Sequence, residues 1–143
     1  MIAAEKIADA LGGERVLHRK IRDYADLDRG VRERLPFAAL RHLIDSGRLS
    51  VGEAKRYLIP SSTYARRAQS KLLSVAESEK AERLARVLAT AEEVLANADK
   101  AHRWMRAPNR ELDGKNPLEV AASELGARQV ETILWQVAHG IPA

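Results

Sequence analysis

An apolar stripe between Ala81 and Leu95 is the sequence feature that most constrains the fold. Its members recur every three or four residues, which is the period of an amphipathic α-helix: Ala81, Leu84, Ala85, Leu88, Ala91 and Leu95. The segment Ser74-x-x-Glu77 in front of it is a capping box, whose two side chains accept the unpaired N–H groups at a helix start. The sequence therefore predicts one long helix from Ser74 to Asn97 or Ala98.

Signals for further helices lie on both sides of this one. Residues 2–11 are amphipathic, Pro36 begins a helix that Gly47 ends, and Ser50-x-x-Glu53 is a second capping box. Residues 16–24 show no clear period: an irregular extended piece and one more helical turn both fit, and the segment is assigned as a connector. Because no segment alternates as a strand does, the predicted fold class is all-α.

The last forty residues contain three short helical patterns. We expect Asp99 to cap the first, Asn116-Pro117 to begin the second, and Gly126 to close the second and open the third. The third carries an inward stripe of Val130, Ile133, Leu134 and Val137. The chain is thus divided into an N-terminal helical part at 1–73, a connecting helix at 74–98 and a compact module at 99–143.

Composition narrows the classes of function. The chain has no cysteine, which excludes disulfides and thiolate metal sites, and its four histidines are far apart: His18, His42, His102 and His139. No nucleophile–base set or glycine-rich phosphate loop stands out, so we expect a protein that is not an enzyme and has no cofactor. No signal peptide or membrane span is recognisable, which favours a cytoplasmic location without a membrane partner.

The positive charge is concentrated in the middle of the chain. Residues 41–71 carry seven lysines and arginines against two acids, a net charge of +5. The corresponding values are +1 for residues 1–40 and −2 for residues 72–143. This asymmetry favours a polyanionic partner for the middle segment.

The same segment has the spacing of a helix-turn-helix. One helix follows Ser50, Ile59-Pro60 interrupts it, and Ser61 or Ser62 is expected to cap a second helix. Ala65, Ala68 and Leu72 are expected to face the core. The outward side chains and the free N–H groups at the helix start suit bases and phosphates, and the candidate DNA-binding residues are Ser61, Ser62, Thr63, Arg66, Arg67, Gln69 and Ser70. An ordinary solvated helix fits this pattern as well, and the local charge favours DNA.

From position 101 onwards a set of residues follows in a characteristic order: Ala101, Trp104, Pro108-Asn109, Leu112, Gly114, Pro117-Leu118, Gly126-Ala127-Arg128, Val130, Leu134 and Gly140. In this set the chain resembles the toxin-binding domain of the Xre/MbcA/ParS antitoxins, which are partners of RES-domain toxins in bacterial toxin–antitoxin pairs. Ile59-Pro60, Thr63 and Arg66-Arg67 are similar to the helix-turn-helix of that family. The chain departs from the family pattern at several places, among them Leu58 in the turn and His139 before the last glycine.

The resemblance implies a protein with two tasks. The N-terminal part would form a homodimer and bind its own operator DNA, and the C-terminal module would cover the active site of a toxin that consumes NAD or transfers ADP-ribose from it. The implied toxin contacts are Pro108, Asn109, Gly114, Pro117, Arg128, Gln129, Thr132, Gln136, His139, Gly140 and Ile141. The alternative is a helix-turn-helix transcriptional regulator whose C-terminal module only dimerises or senses a ligand.

Overall fold

The computed structural model describes residues 1–140, and these residues form ten α-helices and one 3₁₀ turn, Arg110–Leu112. The helices are α1 Ala4–Ala10, α2 Gly13–Leu17, α3 Tyr24–Arg32, α4 Phe37–Asp45, α5 Val51–Tyr57, α6 Ser61–Ser70, α7 Val75–Leu95, α8 Ala98–Arg106, α9 Pro117–Val120 and α10 Glu124–Ala138. The described range contains no strand, only an isolated antiparallel bridge between Pro36 and Leu72. The predicted all-α class is confirmed.

Helix α7 lies at the centre of the molecule and contacts α1, α3, α4, α8 and α10. Its capping box forms as predicted, since Ser74 Oγ accepts the Glu77 N–H at 3.1 Å and Glu77 Oε1 accepts the Ser74 N–H at 2.8 Å. The predicted stripe is buried except for Leu95, which is half-buried, and Val87 and Thr90 are buried as well. The core is therefore a single cluster around α7 that includes side chains from both ends of the chain.

The assignment of residues 16–24 as a connector is wrong at both of its ends. Helix α2 runs through Val16 to Leu17, and α3 begins at Tyr24 after the cap Asp23, whose carboxylate accepts the Asp26 N–H at 2.8 Å. The Asp26 side chain is buried and binds two arginines, and its hydrogen bond from Arg22 holds the pKa of the carboxyl well below its ordinary value. A helix of one turn is too short to show an apolar period.

Two predicted boundaries in the C-terminal module need correction. Helix α8 is capped by Asn97 rather than Asp99, since Asn97 Oδ1 accepts the Lys100 N–H at 2.8 Å. Gly126 does not close α9, which ends at Val120, but it lies in the first turn of α10 as predicted, where Ser123 Oγ accepts its N–H at 3.0 Å. A Cβ atom on Gly126 would stand 1.8 Å from the Val120 carbonyl oxygen, so glycine permits the close approach of α9 and α10.

Candidate DNA-binding and partner-binding surfaces

The turn between α5 and α6 is built from buried aliphatic side chains. Leu58, which stands where many helix-turn-helix units have glycine, has a φ of −119° and is 3% exposed. Ile59 is 1% exposed, and its N–H donates to the Ala54 carbonyl at 3.0 Å. Because the turn needs no left-handed residue at position 58, leucine does not distort it and instead anchors it in the core.

The first turn of α6 is open towards solvent. Pro60 is its N-cap, so neither Ser61 nor Ser62 caps the helix as predicted, and no side chain takes up the free N–H groups there. Ser61 and Ser62 are exposed. Three N–H groups at a helix start, with two hydroxyl groups beside them, form a suitable seat for a phosphate.

The rotation of α6 differs from the sequence prediction. Tyr64 packs edge-on against Phe37 with 5.1 Å between the ring centres, and Arg67 Nε donates to Glu77 Oε1 at 2.8 Å. The Arg67 side chain is only 21% exposed, so the expectation that it points outward is wrong. Ala65, Ala68 and Leu72, which were expected to face the core, are exposed instead. Helix α6 buries no residue at all.

The polar row of α6 remains available to a partner. Arg66, Gln69 and Ser70 are exposed, whereas Thr63 is half-buried.

The Arg67 contact has a structural effect on the capping box of α7. Burial by itself would raise the pKa of Glu77, but hydrogen bonds from the Ser74 N–H and the Arg67 guanidinium outweigh it and hold the pKa below its ordinary value. Arg67 therefore stabilises the start of α7, and Arg66 is the arginine of α6 that faces solvent.

The predicted partner-binding side chains of α10 share one face. Val130, Ile133 and Leu134 are buried against the core as predicted, and Val137 is half-buried. The opposite face carries side chains at intervals of three and four residues, all exposed except the half-buried Gln136: Arg128, Gln129, Thr132, Gln136 and His139. We call this set, together with Leu125, the outer face of α10.

Leu125 is the member of this face that sequence reasoning did not identify. Its side chain is 76% exposed. It lies three residues before Arg128 and four before Gln129, which places it on the same face of α10. A leucine in the polar stripe of an amphipathic helix was the signal that could have revealed it.

Two grooves border the outer face of α10. One, of about 550 Å³, is lined mainly by apolar atoms and lies between α10 and Met1, with Trp135 in its wall. The other, of about 670 Å³, lies on the opposite side and is bordered by Leu112 and Leu125. Trp104 and Trp135 both pack on the core as partly buried side chains, and Trp135 also reaches the first groove.

The predicted contacts at 108–117 act mainly within the chain. The Asn109 N–H donates to the Lys115 carbonyl at 3.0 Å, and the Asn109 carbonyl accepts the N–H of Gly114 at 2.9 Å. Pro117 is buried, so the structure leaves it no access to a partner. Pro108, Gly114 and Gly140 are exposed, and Ile141 lies outside the described residues.

Ion pairs join the helices on which these surfaces lie. Arg86 on α7 binds Glu82 on its own helix and both Glu124 and Glu131 on α10, with distances of 2.9 to 3.0 Å. Burial raises the pKa of Glu82 despite this partner. At the other end, Arg106 on α8 donates to both carboxylate oxygens of Glu53 on α5 at 2.8 Å. Together with the Arg67–Glu77 pair between α6 and α7, the Arg86 pairs connect both surfaces through α7.

The part of the chain that the structure describes contains neither a metal-binding group nor a membrane-spanning helix. Among residues 1–140, no group of three or more histidine, aspartate or glutamate side chains could hold a metal ion. No helix in the same range is long and apolar enough to cross a membrane.

Comparison with known proteins matches two stretches of the chain to described families of domains. Residues 26–86 match the antitoxin Xre-like helix-turn-helix domain, and residues 90–140 match the antitoxin Xre/MbcA/ParS C-terminal toxin-binding domain. The chain is also 38% identical over 68 residues to the antitoxin Xre of Pseudomonas putida strain KT2440. That alignment covers 48% of this chain and 43% of the relative.

Proposed function

The chain belongs to the Xre/MbcA/ParS family of antitoxins, and we propose that it neutralises a RES-domain toxin by covering the toxin's NAD pocket. The inhibition would be steric, since a helix face that fills the entrance of a pocket prevents NAD from entering. The antitoxin itself would perform no chemistry. The site of action would be the bacterial cytoplasm, where both NAD and the antitoxin's own operator are found.

The outer face of α10 is the observation that carries this proposal. It lies within the region that matches the toxin-binding domain, and it presents one large apolar side chain among amides, a hydroxyl group and a guanidinium. Leu125 has the exposure of an anchor that a partner would bury, as the centres of protein interfaces require. Arg128 is 73% exposed and its ion pair with Glu124 is long, at 3.8 Å, so a carboxylate of the partner could compete for its guanidinium.

Mixing the purified chain with a purified RES-domain toxin from the same bacterium tests the proposal. The measured quantity is the rate of NAD consumption, which should fall to zero as the molar ratio of antitoxin to toxin reaches the stoichiometry of the complex. Full toxin activity in the presence of a molar excess of this chain would refute the proposal.

A pair of matched variants then tests the assigned face. Leu125→Glu places a charge at the proposed anchor and should abolish inhibition, because the carboxylate would be buried without a partner. Val51→Glu makes the same kind of change at another exposed apolar side chain, far along the chain on α5, and should inhibit as the unchanged chain does. If the two variants inhibit equally well, the toxin binds elsewhere.

The helix-turn-helix supports a second part of the proposal, namely repression of the antitoxin's own operon. The open first turn of α6 and the exposed Arg66 would contact the DNA backbone and groove. A band-shift assay with the DNA directly upstream of the gene tests this part, with a duplex of unrelated sequence as the control. Equal affinity for both duplexes would contradict operator recognition.

A further inference from the structure

We infer that the toxin also binds the groove between α5 and α10, so that the antitoxin holds it with side chains of both of its matched domains. Tyr57 lines this groove from α5, and Leu125 and Gln129 line it from α10. Lys115 and Glu119 line it as well, and its volume is about 640 Å³. We call it the α5–α10 groove. The inference deepens the proposed inhibition of a RES-domain toxin and rests on it.

The α5–α10 groove continues the outer face of α10. Leu125 and Gln129 belong to that face, and both side chains also line the groove that Leu112 borders. A stable interface takes roughly 800 Å² and about 20–30 residues from each partner, which the side chains of one helix face do not provide. A toxin centred on Leu125 must therefore reach beyond α10, and the α5–α10 groove begins at Leu125 itself.

The direction of Tyr57 favours the toxin over DNA as the occupant. Tyr57 lies four residues after Glu53, so the two side chains share one face of α5, and Glu53 binds Arg106 of the C-terminal module with two hydrogen bonds of 2.8 Å. Lys55 lies on the side of α6, since its ammonium group is 5.1 Å from the ring centre of Tyr64. Two residues further along α5, Tyr57 is turned by about 200° from Lys55. It therefore faces the toxin-binding module and not the helix that would read DNA.

The two walls of the groove are held in fixed positions. The Arg106–Glu53 ion pair connects α5 to α8. Val120 and Gly126 also line the groove, at the point where α9 closely approaches α10. Because the groove is formed before a partner arrives, binding there costs little conformational entropy.

The side chains around the groove indicate the chemistry of the partner. Tyr57 is half-buried, and the guanidinium of the exposed Arg56 lies 5.7 Å from its ring centre. Tyrosine and arginine are the residue types that most often dominate the energy of an interface. Lys115 is exposed as well, whereas the carboxylate of Glu119 accepts the Asn116 N–H at 3.1 Å in the capping box of α9. An aromatic ring between two cations fits a toxin surface that presents an apolar side chain flanked by acidic groups.

Protection of a single thiol tests the contact directly, because the chain has no cysteine of its own. The Lys115→Cys variant is labelled with a maleimide in the presence and absence of the RES-domain toxin, and the labelled fraction is read from the intact mass of the antitoxin. Lys80→Cys, at an exposed lysine of α7, is the matched control. The toxin should slow labelling several-fold at position 115 and leave it unchanged at position 80. Equal rates at position 115 with and without the toxin would overturn the inference.

Two further variants test the contribution of the groove to inhibition. Tyr57→Ala and Lys115→Glu should each raise the antitoxin concentration needed for half-inhibition of NAD consumption by about tenfold. Lys80→Glu, which reverses the same charge on α7, should inhibit as the unchanged chain does. Tm and DNA affinity are measured for all three variants, and Tyr57→Ala should change neither enough to explain its loss of inhibition.

The outcomes separate this inference from the proposed function. If the unchanged chain leaves the toxin fully active, the proposed function fails and the inference fails with it. Inhibition by the unchanged chain together with an unprotected thiol at position 115 would overturn the inference alone. A Tyr57→Ala variant that inhibits normally but no longer binds DNA would show that DNA occupies the groove, and would overturn it too.

Discussion

Replacing Gly126 with alanine should destabilise the protein more than adding a methyl group at any other glycine of the described chain. The added Cβ would lie 1.8 Å from the Val120 carbonyl oxygen, 2.8 Å from its carbon and 2.9 Å from Ser123 Oγ. No real Cβ tolerates such distances from backbone atoms, so the first turn of α10 must move away from α9. The same movement removes the cap that Ser123 provides.

The size of the effect follows from these two losses. Overpacking of a tight site costs about 1–3 kcal/mol, and the loss of a serine cap costs about 1 kcal/mol. The free energy of unfolding should therefore fall by about 2–4 kcal/mol, if the two terms are taken together. For a chain of this length that corresponds to a decrease in Tm of about 6–12 °C.

Gly52→Ala provides the matched control. Gly52 is also helical, its φ is ordinary, and the nearest atom to an added Cβ would be Ser50 Oγ at 3.8 Å. Alanine is the better helix former by about 1 kcal/mol, so this variant should melt at the same or a slightly higher temperature. Thermal unfolding followed by far-UV circular dichroism compares the two proteins. If Gly126→Ala is as stable as Gly52→Ala, the close approach of α9 and α10 that we describe is wrong.

The remaining predictions concern charged side chains. Arg66→Ala should reduce the slope of log affinity for DNA against log salt concentration by nearly one, because one phosphate contact is lost. Arg67→Ala should instead lower Tm, because it removes a partner of Glu77. Arg106→Ala should destabilise the fold by about 1–3 kcal/mol in urea unfolding, between the values for exposed and buried pairs, since it leaves the half-buried Glu53 without its bidentate partner. The pKa values of Glu53 and Glu77 lie below the ordinary 4.5 in the folded state, so their stabilising contribution is complete above pH 4.5 and is lost as the pH falls through the lowered values. Tm should accordingly decline as the pH falls below 4.5, and the decline should be less steep in the Glu77→Gln variant. An equally steep decline in that variant would contradict the stabilising contribution of the Glu77 carboxylate.

Local signals predicted much of the secondary structure correctly. The capping boxes at Ser50 and Ser74 and the Asn116-Pro117 start all form as expected, because each depends on hydrogen bonds between residues three apart in the chain. Helix α2 escaped prediction because one turn cannot show a period. The predicted inward stripe of α10 was largely correct as well, since Val130, Ile133 and Leu134 are buried and Val137 is half-buried.

The rotation of α6, by contrast, could not be obtained from its own sequence. Its alanines indicate one buried face, but the contacts of Tyr64 with Phe37 and of Arg67 with Glu77 turn that face towards solvent. Both partners lie on other helices, so no local pattern contains this information. The same is true of Gly126, whose role depends on how closely α9 approaches α10.

The sequence by itself thus determined the helical class, the main helix starts and the separation of a basic middle segment from a slightly acidic C-terminal module. These are local or compositional properties, set by hydrogen bonds within a turn and by the residues present. The tertiary structure alone decided which arginine of α6 faces solvent, that Leu125 stands exposed on α10, and that Ala65, Ala68 and Leu72 are exposed rather than buried. The physical reason is that the burial of a side chain depends on the elements packed around it, and those are distant in the chain.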